Sequence, residues 1–253
     1  MNKIKVKLLN KMEITDDRYL SNITKITFSE KLNGKQDIAD QLLDLENSNT
    51  KIVENVVKFN HTSILEHLNY TFLVEGASRS FLAQVTRHRH FSFTSGSQHY
   101  IDYSKIADFV IPIEMLEIEN EVERADIKAK YLSTNSESLE KYKGLIEKGV
   151  KPEVARQVLP NGMRNNLIIT GNLRQFINFL NQRLCFRNTS EIQYIAYKLY
   201  EELYKLNPEI MKQVGPDCII RGFCTQGHKS CGRGKIQIDD IKERFKLLLE
   251  ENK

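Results

Sequence analysis

Three segments of the chain show the hydrophobic pattern of β-strands. Apolar and polar residues alternate over residues 3–9, which places the apolar ones on one side. Residues 68–74 are rich in β-branched and aromatic side chains, and residues 166–170 form a short apolar run of the same kind. We therefore predict three strands, far apart in the chain, that contribute to a small central sheet.

Apolar residues at helical spacing dominate the rest of the chain. The highly charged stretch 117–149 indicates one long or broken exposed helix, Asn172 stands in an N-cap position, and Asn207-Pro208 ends a further helix. Long helices with few strands predict a mixed α/β (α+β) class in which helices dominate. The predicted helices cover residues 37–45, 49–59, 78–87, 117–149, 172–186, 191–206 and 239–251.

The composition is that of a folded protein: 253 residues, 40% hydrophobic and 28% charged, are enough to bury a full core. No linker or repeat is visible, so we expect a single domain over residues 1–253, with a Cys- and Gly-rich tail segment at about 215–235 within it. A net charge of +4 excludes a basic nucleic-acid-binding arm spread over the whole chain. No apolar run approaches the roughly 18 residues that span a bilayer, and the N-terminal residues lack a signal-peptide core. We expect a soluble, cytoplasmic protein.

The densest cationic cluster is Arg87-His88-Arg89-His90, at the end of a predicted helix. Such side chains repel one another and are stabilised by a strong anion such as phosphate. The alternative is a solvated helix end that the helix dipole favours. Residues 90–103, which follow, predict a loop with short extended pieces, and their hydroxyls and aromatic rings suit a nucleotide or a flavin.

A second polar cluster, residues 61–67, allows two interpretations. Thr62 or Ser63 can cap a helix, with Glu66 three residues after Ser63 as the partner in a capping box. His61 and His67 raise the alternative of a metal site, but at six residues apart they lie on different faces of a helix. We expect no metal here.

The helix predicted over residues 172–186 carries one charge in an unusual place. Its apolar residues form one broad stripe, and Arg174 and Asn178 lie on the opposite face. Arg183 falls inside the stripe, where a guanidinium needs an acidic partner, carbonyl oxygens or a bound ligand. Two hypotheses stay open: a structural salt bridge, for instance to Glu191, or an arginine that faces a ligand.

The four cysteines are too few for a secreted disulfide scaffold and indicate reduced thiols. Three of them, with one histidine, lie close enough in the sequence for a tetrahedral zinc site at Cys218, Cys224, His228 and Cys231. The spacing is not one of the standard paired forms, so a tail with free thiols is the preferred interpretation and zinc the alternative.

Several of these segments together resemble the flavin-dependent thymidylate synthases. Arg87-His88-Arg89, followed after seven residues by Ser97, is similar to the RHR-x7-S signature of that family. The segments HTSILEH (61–67), ARQVLP (155–160) and NLRQFINFLNQR (172–183) resemble further family motifs in the same order. Gln84, three residues before Arg87, also fits the family, and the Cys- and Gly-rich tail resembles that of some bacterial members.

The resemblance implies a helix-rich flavin-dependent thymidylate synthase-like fold and a homotetramer whose active sites are each built from several chains. It implies the conversion of dUMP to dTMP, with methylenetetrahydrofolate as one-carbon donor and NADPH as the reductant of FAD. Neither a membrane nor a nucleic acid is an implied partner. A cysteine nucleophile is not required, because the reduced flavin carries the difficult chemistry.

The same resemblance implies the ligand contacts. Arg183 would be catalytic, facing the uracil and favouring ionisation at N3, because a fixed cation stabilises a ring that gains negative charge. The implied FAD contacts are Ser63, Arg87, His88, Arg89, Ser95, Asn172, Leu173, Arg174 and Asn178. The implied dUMP contacts are Gln84, Val85, Thr86, Arg87, Ser95, Gly96, Ser97, Gln98, His99, Arg156 and Arg183.

Three positions depart from the family pattern and keep alternatives open, and one of them is Thr94, where asparagine is common. His99 stands where members usually carry arginine, and Ser95 where glutamate or glutamine is more usual, so the nucleotide pocket has less fixed charge. One alternative is a related flavin-dependent pyrimidine-nucleotide methylase or hydroxymethylase with an altered substrate. Another is a non-catalytic nucleotide- or RNA-binding protein, but phosphate binding alone does not require Arg183 within an apolar stripe.

Overall fold

A four-stranded antiparallel sheet organises the protein, whose computed structural model describes residues 4–10, 16–33, 38–106, 108–233 and 237–251. The strands are β1 (Lys5–Leu8), β2 (Asn69–Ser78), β3 (Ser92–Ser95) and β4 (Arg164–Asn172). They pair in the order β1-β2-β4-β3. The three predicted strands are confirmed, and β3 lies in the segment predicted as a loop with extended pieces. Lys3 and Asp37, the first residues of two predicted elements, lie outside the described residues.

The central pair of strands, β2 and β4, faces the core with alternate residues. Tyr70, Phe72 and Val74 of β2 stand opposite Gly171, Ile169 and Leu167 of β4. All six residues of these pairs are buried, whereas the intervening residues of both strands are mostly half-buried or exposed. This period of two is the arrangement expected of a sheet with one face on the core.

Helices cover this sheet and extend beyond it. In chain order they are α1 (Asp17–Thr24), α2 (Glu30–Asn33), α3 (Ala39–Leu43), α4 (Lys51–Lys58), α5 (Arg79–Val85), α6 (Ile113–Leu116), α7 (Glu121–Glu147), α8 (Pro152–Ala155), α9 (Leu173–Arg183), α10 (Ser190–Leu206), α11 (Pro208–Met211), α12 (Asp217–Ile220), α13 (Ile238–Arg244) and α14 (Lys246–Glu251). Short 3₁₀ turns occupy Lys25–Thr27, Thr62–His67, Tyr103–Lys105, Arg156–Val158 and Gly227–Lys229. None of the helices in the described part of the chain is long and apolar enough to cross a membrane.

Most predicted helices are confirmed, and the charged stretch 117–149 contains one unbroken exposed helix, α7. Two local predictions were wrong. Residues 239–251 form two helices, because Phe245 leaves helical geometry (φ −104°, ψ 11°) and its ring is fully buried. The segment Thr62–His67 is a 3₁₀ helix without a side-chain cap, so Ser63 and Glu66 form no capping box there.

Helix α9 begins directly where β4 ends, so the sheet fixes its position. Asn172 Oδ1 accepts a hydrogen bond from the Gln175 backbone N–H (3.0 Å), and Gln175 Oε1 accepts one from the Asn172 backbone N–H (2.8 Å). This capping box confirms the predicted N-cap at Asn172. Gly171 lies so close to Phe91 that a Cβ there would stand 2.4 Å from the ring. Glycine at this position lets the segment after α5 pack over the start of α9.

The main core joins both ends of the chain. It includes Ile4 before β1, most of α10 and Leu248 of α14. Helix α10 packs against β1, α9 and α11, and ten of its residues are buried. A smaller cluster around Tyr103, Tyr142, Ala155 and Met163 anchors α7 and α8. The single-domain organisation stays a prediction.

Candidate functional site

A polar cleft of about 630 Å³ opens between the basic segment after α5 and the outer face of α9. Its walls bring together Arg87, His88 and Arg89 with Asn178 and Arg183, five of the residues predicted to bind ligands. No cysteine is among the described residues that line it. Its other lining residues are His90, Phe91, Gln175, Asn181, Gln182, Asp217 and Arg221.

The basic segment reaches the cleft because α5 ends at Val85 and the chain then turns back over α9. Phe91 is buried against Phe176, with ring centroids 4.8 Å apart, and this contact anchors the turn. Arg87 and Arg89 remain exposed, and no described carboxylate forms an ion pair with either. Both guanidinium groups are therefore available to an anionic ligand.

Arg183 is half-buried at the end of α9, and neutral groups hold it. Its Nε donates to His88 Nε2 (3.0 Å), and its Nη1 donates to Asn188 Oδ1 (3.0 Å). The Asn188 amide nitrogen donates in turn to the backbone oxygens of Gln182 (2.7 Å) and Cys185 (3.0 Å), which fixes this acceptor. Burial lowers the pKa of the Arg183 guanidinium, but an arginine in a protein keeps its proton.

The suggested salt bridge between Arg183 and Glu191 was wrong. Glu191 instead accepts hydrogen bonds from the backbone N–H of Ser78 (2.6 Å) and from its hydroxyl (2.5 Å). No carboxylate in the described part of the chain pairs with Arg183. The charge of Arg183 therefore stays unneutralised at the wall of the cleft, as a ligand-facing arginine requires.

His88 is a neutral acceptor for this arginine. Its ring packs edge-on against Phe179, with centroids 4.9 Å apart. Burial, and then the nearby Arg183 charge, lower the pKa of His88 to about 4. At neutral pH the ring is uncharged, and because Nε2 accepts from Arg183, the proton resides on Nδ1.

The N-terminal end of α9 carries further residues that are predicted to contact FAD. Arg174 Nη1 lies 2.6 Å from Glu66 Oε1, in an exposed ion pair that joins α9 to the turn carrying Ser63. The side chain of Asn172 is engaged in the helix cap, and Leu173 is fully buried, so its side chain cannot reach a ligand. Arg174 and Arg183 are nine residues apart, roughly 14 Å along the helix axis.

The predicted nucleotide contacts lie in a third region, which comprises the segment after β3 and the residues around Glu153. Gly96 follows β3, and a Cβ there would stand 2.6 Å from Asn165 Oδ1, so the backbone passes very close to β4 at this point. Farther along the loop, His99 Nδ1 lies 3.3 Å from Glu153 Oε2, and Arg156 Nε donates to the backbone oxygen of Glu153 (3.1 Å). Glu153 thus gathers His99 and Arg156 into a second polar group.

The polar group around Glu153 is separate from the cleft within one chain. None of the predicted contacts Ser95, Gly96, Ser97, Gln98, His99 and Arg156 lines the cleft. Three further predicted contacts lie at the end of α5. The Val85 side chain is fully buried, Gln84 is half-buried, and the hydroxyl of Thr86, the residue after the helix, donates to the backbone oxygen of Leu82 (2.8 Å).

Sequence reasoning missed several polar residues of these two regions. Asn188 lies beyond the predicted helix. Its short polar side chain, five positions after the unusual Arg183, is the only feature of the sequence that could have indicated it. Glu153 lies two residues before the ARQVLP segment and is recognisable only once His99 is placed beside it. Asp217 and Arg221 form an ion pair (3.3 Å) at the edge of the cleft.

The zinc alternative for the tail is not supported. Within the described ranges, no three histidine, cysteine, aspartate or glutamate side chains are placed to hold a metal ion. His61 and His67 are both exposed at the two ends of their short 3₁₀ turn. All four cysteines are free thiols.

Comparison with known proteins identifies the family of this chain. Residues 7–209 match the family model described as thymidylate synthase complementing protein. A flavin-dependent thymidylate synthase of Sulfurisphaera tokodaii is 38% identical over 168 residues, which cover 66% of this chain and 63% of that protein, slightly less than two thirds of its length. Relatives of the same name from Pyrococcus furiosus (36% identity, 72% of this chain and 75% of that protein) and Clostridium tetani (30%, 91% and 94%) are also similar.

The fold is shared with a solved structure. The crystal structure of the UMP/dUMP methylase PolB from Streptomyces cacaoi, bound with 5-Br dUMP, superposes with a TM-score of 0.64 at 19% identity. The match covers 83% of this chain and 94% of that one, and it confirms the predicted fold class. On these matches, the chain belongs to the thymidylate synthase complementing protein family, the flavin-dependent thymidylate synthases.

Proposed function

We propose that this chain is a flavin-dependent thymidylate synthase, an FAD-dependent methyltransferase that converts dUMP to dTMP. The observation that carries the proposal is Arg183, a half-buried cation at the cleft wall that neutral acceptors hold in place. Methylenetetrahydrofolate as one-carbon donor, NADPH as reductant, the homotetramer and a cytoplasmic location belong to the same proposal.

The residues of the cleft suit FAD. Arg87 and Arg89 offer two guanidinium groups without described carboxylate partners, the donors that bind a diphosphate best, and Asn178 adds an amide on the facing helix. The volume of about 630 Å³ lies within the usual range of roughly 300–1,000 Å³ for a ligand site. When bound, FAD supplies the reducing equivalents that the protein's own side chains lack.

Arg183 contributes to the proposed reaction through its positive charge. A cation beside the uracil favours loss of the N3 proton and stabilises negative charge as it develops on the ring. Because His88 and Asn188 are neutral, they orient the guanidinium without cancelling its charge. A cysteine nucleophile is not part of this proposal, because reduced flavin supplies the difficult chemistry, and no cysteine is among the described residues of the cleft wall.

The separation of the two polar regions supports assembly from several chains. The cleft contains Arg183, whereas His99 and Arg156, predicted to bind dUMP, lie around Glu153 outside it. A complete site then needs the Glu153 region of one chain to meet the cleft of another. Light scattering of the FAD-loaded protein tests this, and a monomer that still binds FAD tightly would contradict it.

Activity is tested by tritium release from dUMP labelled at C5, with and without methylenetetrahydrofolate, on protein whose flavin absorbance has been recorded. We expect a yellow protein that releases tritium only when methylenetetrahydrofolate and NADPH are present. A protein that gains no flavin signal from added FAD contradicts the proposal and favours the nucleotide- or RNA-binding alternative.

One observation favours a second candidate, a related methylase or hydroxymethylase for another pyrimidine nucleotide. The His99 imidazole is paired with the Glu153 carboxylate, so the predicted nucleotide loop presents less positive charge than an arginine would. The same release assay with labelled UMP and dUMP distinguishes the two, since faster release from UMP supports the second candidate.

A further inference from the structure

All four cysteines of the chain gather at one place beside the cleft. Cys185 follows the end of α9, whereas Cys218, Cys224 and Cys231 belong to the tail. The thiol of Cys185 nevertheless lies within electrostatic range of the other three, and all four are unpaired as disulfides. We refer to these four residues as the thiol cluster.

Three members of the thiol cluster share a small pocket. Cys185, Cys218 and Cys224 line a space of about 210 Å³. Asn181 and Gln182 of α9 line this pocket and the larger cleft alike, so the two spaces share a wall. A change at these thiols therefore acts on a segment that also borders the candidate active site.

Cys224 has the surroundings of a reactive thiol. The backbone N–H of Gln226, and after it the Ser230 hydroxyl and the Arg187 guanidinium, favour the thiolate and so lower the pKa of the Cys224 thiol. Arg187 is held in place by a hydrogen bond that it donates to the backbone oxygen of Lys229. Donors and a cation around a partly exposed sulfur stabilise the thiolate, which is the form that reacts with oxidants.

Cys185 differs from Cys224. Burial raises the pKa of its thiol, so it stays protonated at neutral pH and does not react first. It lines the same pocket as Cys224, as a second, resolving sulfur must. Cys224 is thus the thiol that reacts with an oxidant, and Cys185 is the thiol that can then form a disulfide with it.

Pairwise thiol chemistry fits this arrangement better than metal binding. A zinc ion needs four ligands about 2.3 Å from one centre when all are sulfur. The thiols are gathered, but across the described residues no three metal-binding side chains converge on a common point. A disulfide requires only that two sulfurs meet.

We propose that the thiol cluster is a peroxide-sensitive redox site, in which Cys224 is oxidised and Cys185 closes a disulfide onto it. The Cys224 thiolate attacks a hydroperoxide and takes one oxygen, so a sulfenic acid forms and the rest of the oxidant leaves as an alcohol, or as water from hydrogen peroxide. Cys185 then attacks that sulfur, and its proton leaves with the hydroxyl as water. The two thiols lose two electrons, and the hydroperoxide gains them.

The test uses the full-length protein, treated with hydrogen peroxide, blocked with an alkylating agent and mapped by mass spectrometry. We expect a peptide that links Cys185 to Cys224 and disappears on reduction with dithiothreitol. Cys224→Ser loses the link, whereas Cys231→Ser, which removes a thiol of the cluster that is not one of the proposed pair, keeps it. In untreated wild-type protein at neutral pH, Cys224 is alkylated before Cys185 and Cys218, a measurement that needs no variant.

Three results would overturn the proposal. They are four thiols that stay equally free for alkylation after peroxide, a disulfide that forms without Cys224, and a zinc ion retained by the thiol cluster in native mass spectrometry. The readout is thiol chemistry alone, so its outcome does not depend on the proposed synthase activity.

Discussion

Replacing Arg183 separates a ligand-facing cation from a structural one. Breaking a buried ion pair costs about 3–5 kcal/mol, because the remaining charge is left without a partner. Arg183→Ala strands no charge, since its partners are His88 Nε2 and Asn188 Oδ1, each 3.0 Å away and only partly buried. Both can accept from water, so we expect a loss of about 1 kcal/mol in the free energy of unfolding. In a chain of this size that lowers the unfolding midpoint by about 2–4 °C.

The effect on turnover is expected to be far larger. Loss of one preorganised group that stabilises developing charge slows the chemical step by roughly 10²–10³-fold. Thermal unfolding followed by circular dichroism, flavin absorbance and tritium release, measured on one preparation, give stability, cofactor binding and turnover. Arg124→Ala, which removes an arginine that donates to the backbone oxygen of Ile118 away from the cleft, is the matched control and keeps full turnover.

Arg183→Lys sharpens the same experiment. Lysine keeps the charge but lacks the planar set of donors that reaches two acceptors at once, so turnover falls between wild type and Arg183→Ala. A variant Arg183→Ala that loses as much stability as a broken ion pair, or one that turns over normally, refutes the assignment of this cation to the substrate.

Two further predictions concern the elements that hold the site, and a third concerns a buried carboxylate of α1. Asn172→Ala removes the cap of α9 and lowers the free energy of unfolding by about 1 kcal/mol, measured by denaturant unfolding. Gly171→Ala forces a Cβ to within 2.4 Å of Phe91, and we expect a loss of about 1–3 kcal/mol together with weaker FAD binding, measured by flavin titration. Burial raises the pKa of Asp17 to about 6, so its contribution to stability is present below about pH 4 and is lost as pH rises through 6. Asp17→Asn therefore melts at a higher temperature than wild type at pH 7, and this advantage disappears in melts at about pH 4.

The strands and helices were predictable where a local pattern determines them. The alternation across β1, the aromatic run of β2 and the cap at Asn172 can each be recognised within one short segment of the sequence. Strand β3 has only the sequence Ser-Phe-Thr-Ser and forms because it pairs with β4, a long-range contact that its own residues do not encode. The break at Phe245 likewise depends on a pocket in the core that receives its ring.

The charged residues of the candidate site could be predicted from the sequence, but the residues that form hydrogen bonds with them could not. Arg183 stood out because a guanidinium inside an apolar stripe violates the helical pattern. Its acceptors did not stand out, since His88 lies on a different element and Asn188 in a loop, and only the packing of α9 under the basic segment joins them. The sequence left a salt bridge and a ligand open. In the structure Glu191 is bound to Ser78, and no other described carboxylate pairs with Arg183, so the salt bridge is removed.

The pairing of His99 with Glu153 leads to a last prediction, which rests on the proposed nucleotide site. Glu153 Oε2 lies 3.3 Å from His99 Nδ1, with both side chains partly exposed, so it competes with a nucleotide phosphate for the imidazole and also repels that phosphate. An exposed pair of this kind is worth roughly 0.2–1 kcal/mol. Glu153→Gln is therefore expected to tighten dUMP binding by up to about fivefold in titration calorimetry. Glu147→Gln, an exposed carboxylate at the end of α7, is the control and leaves the affinity unchanged. If Glu153→Gln binds dUMP as wild type does, or more weakly, then Glu153 does not restrain His99 against the nucleotide, and the loop around His99 is not where the phosphate binds.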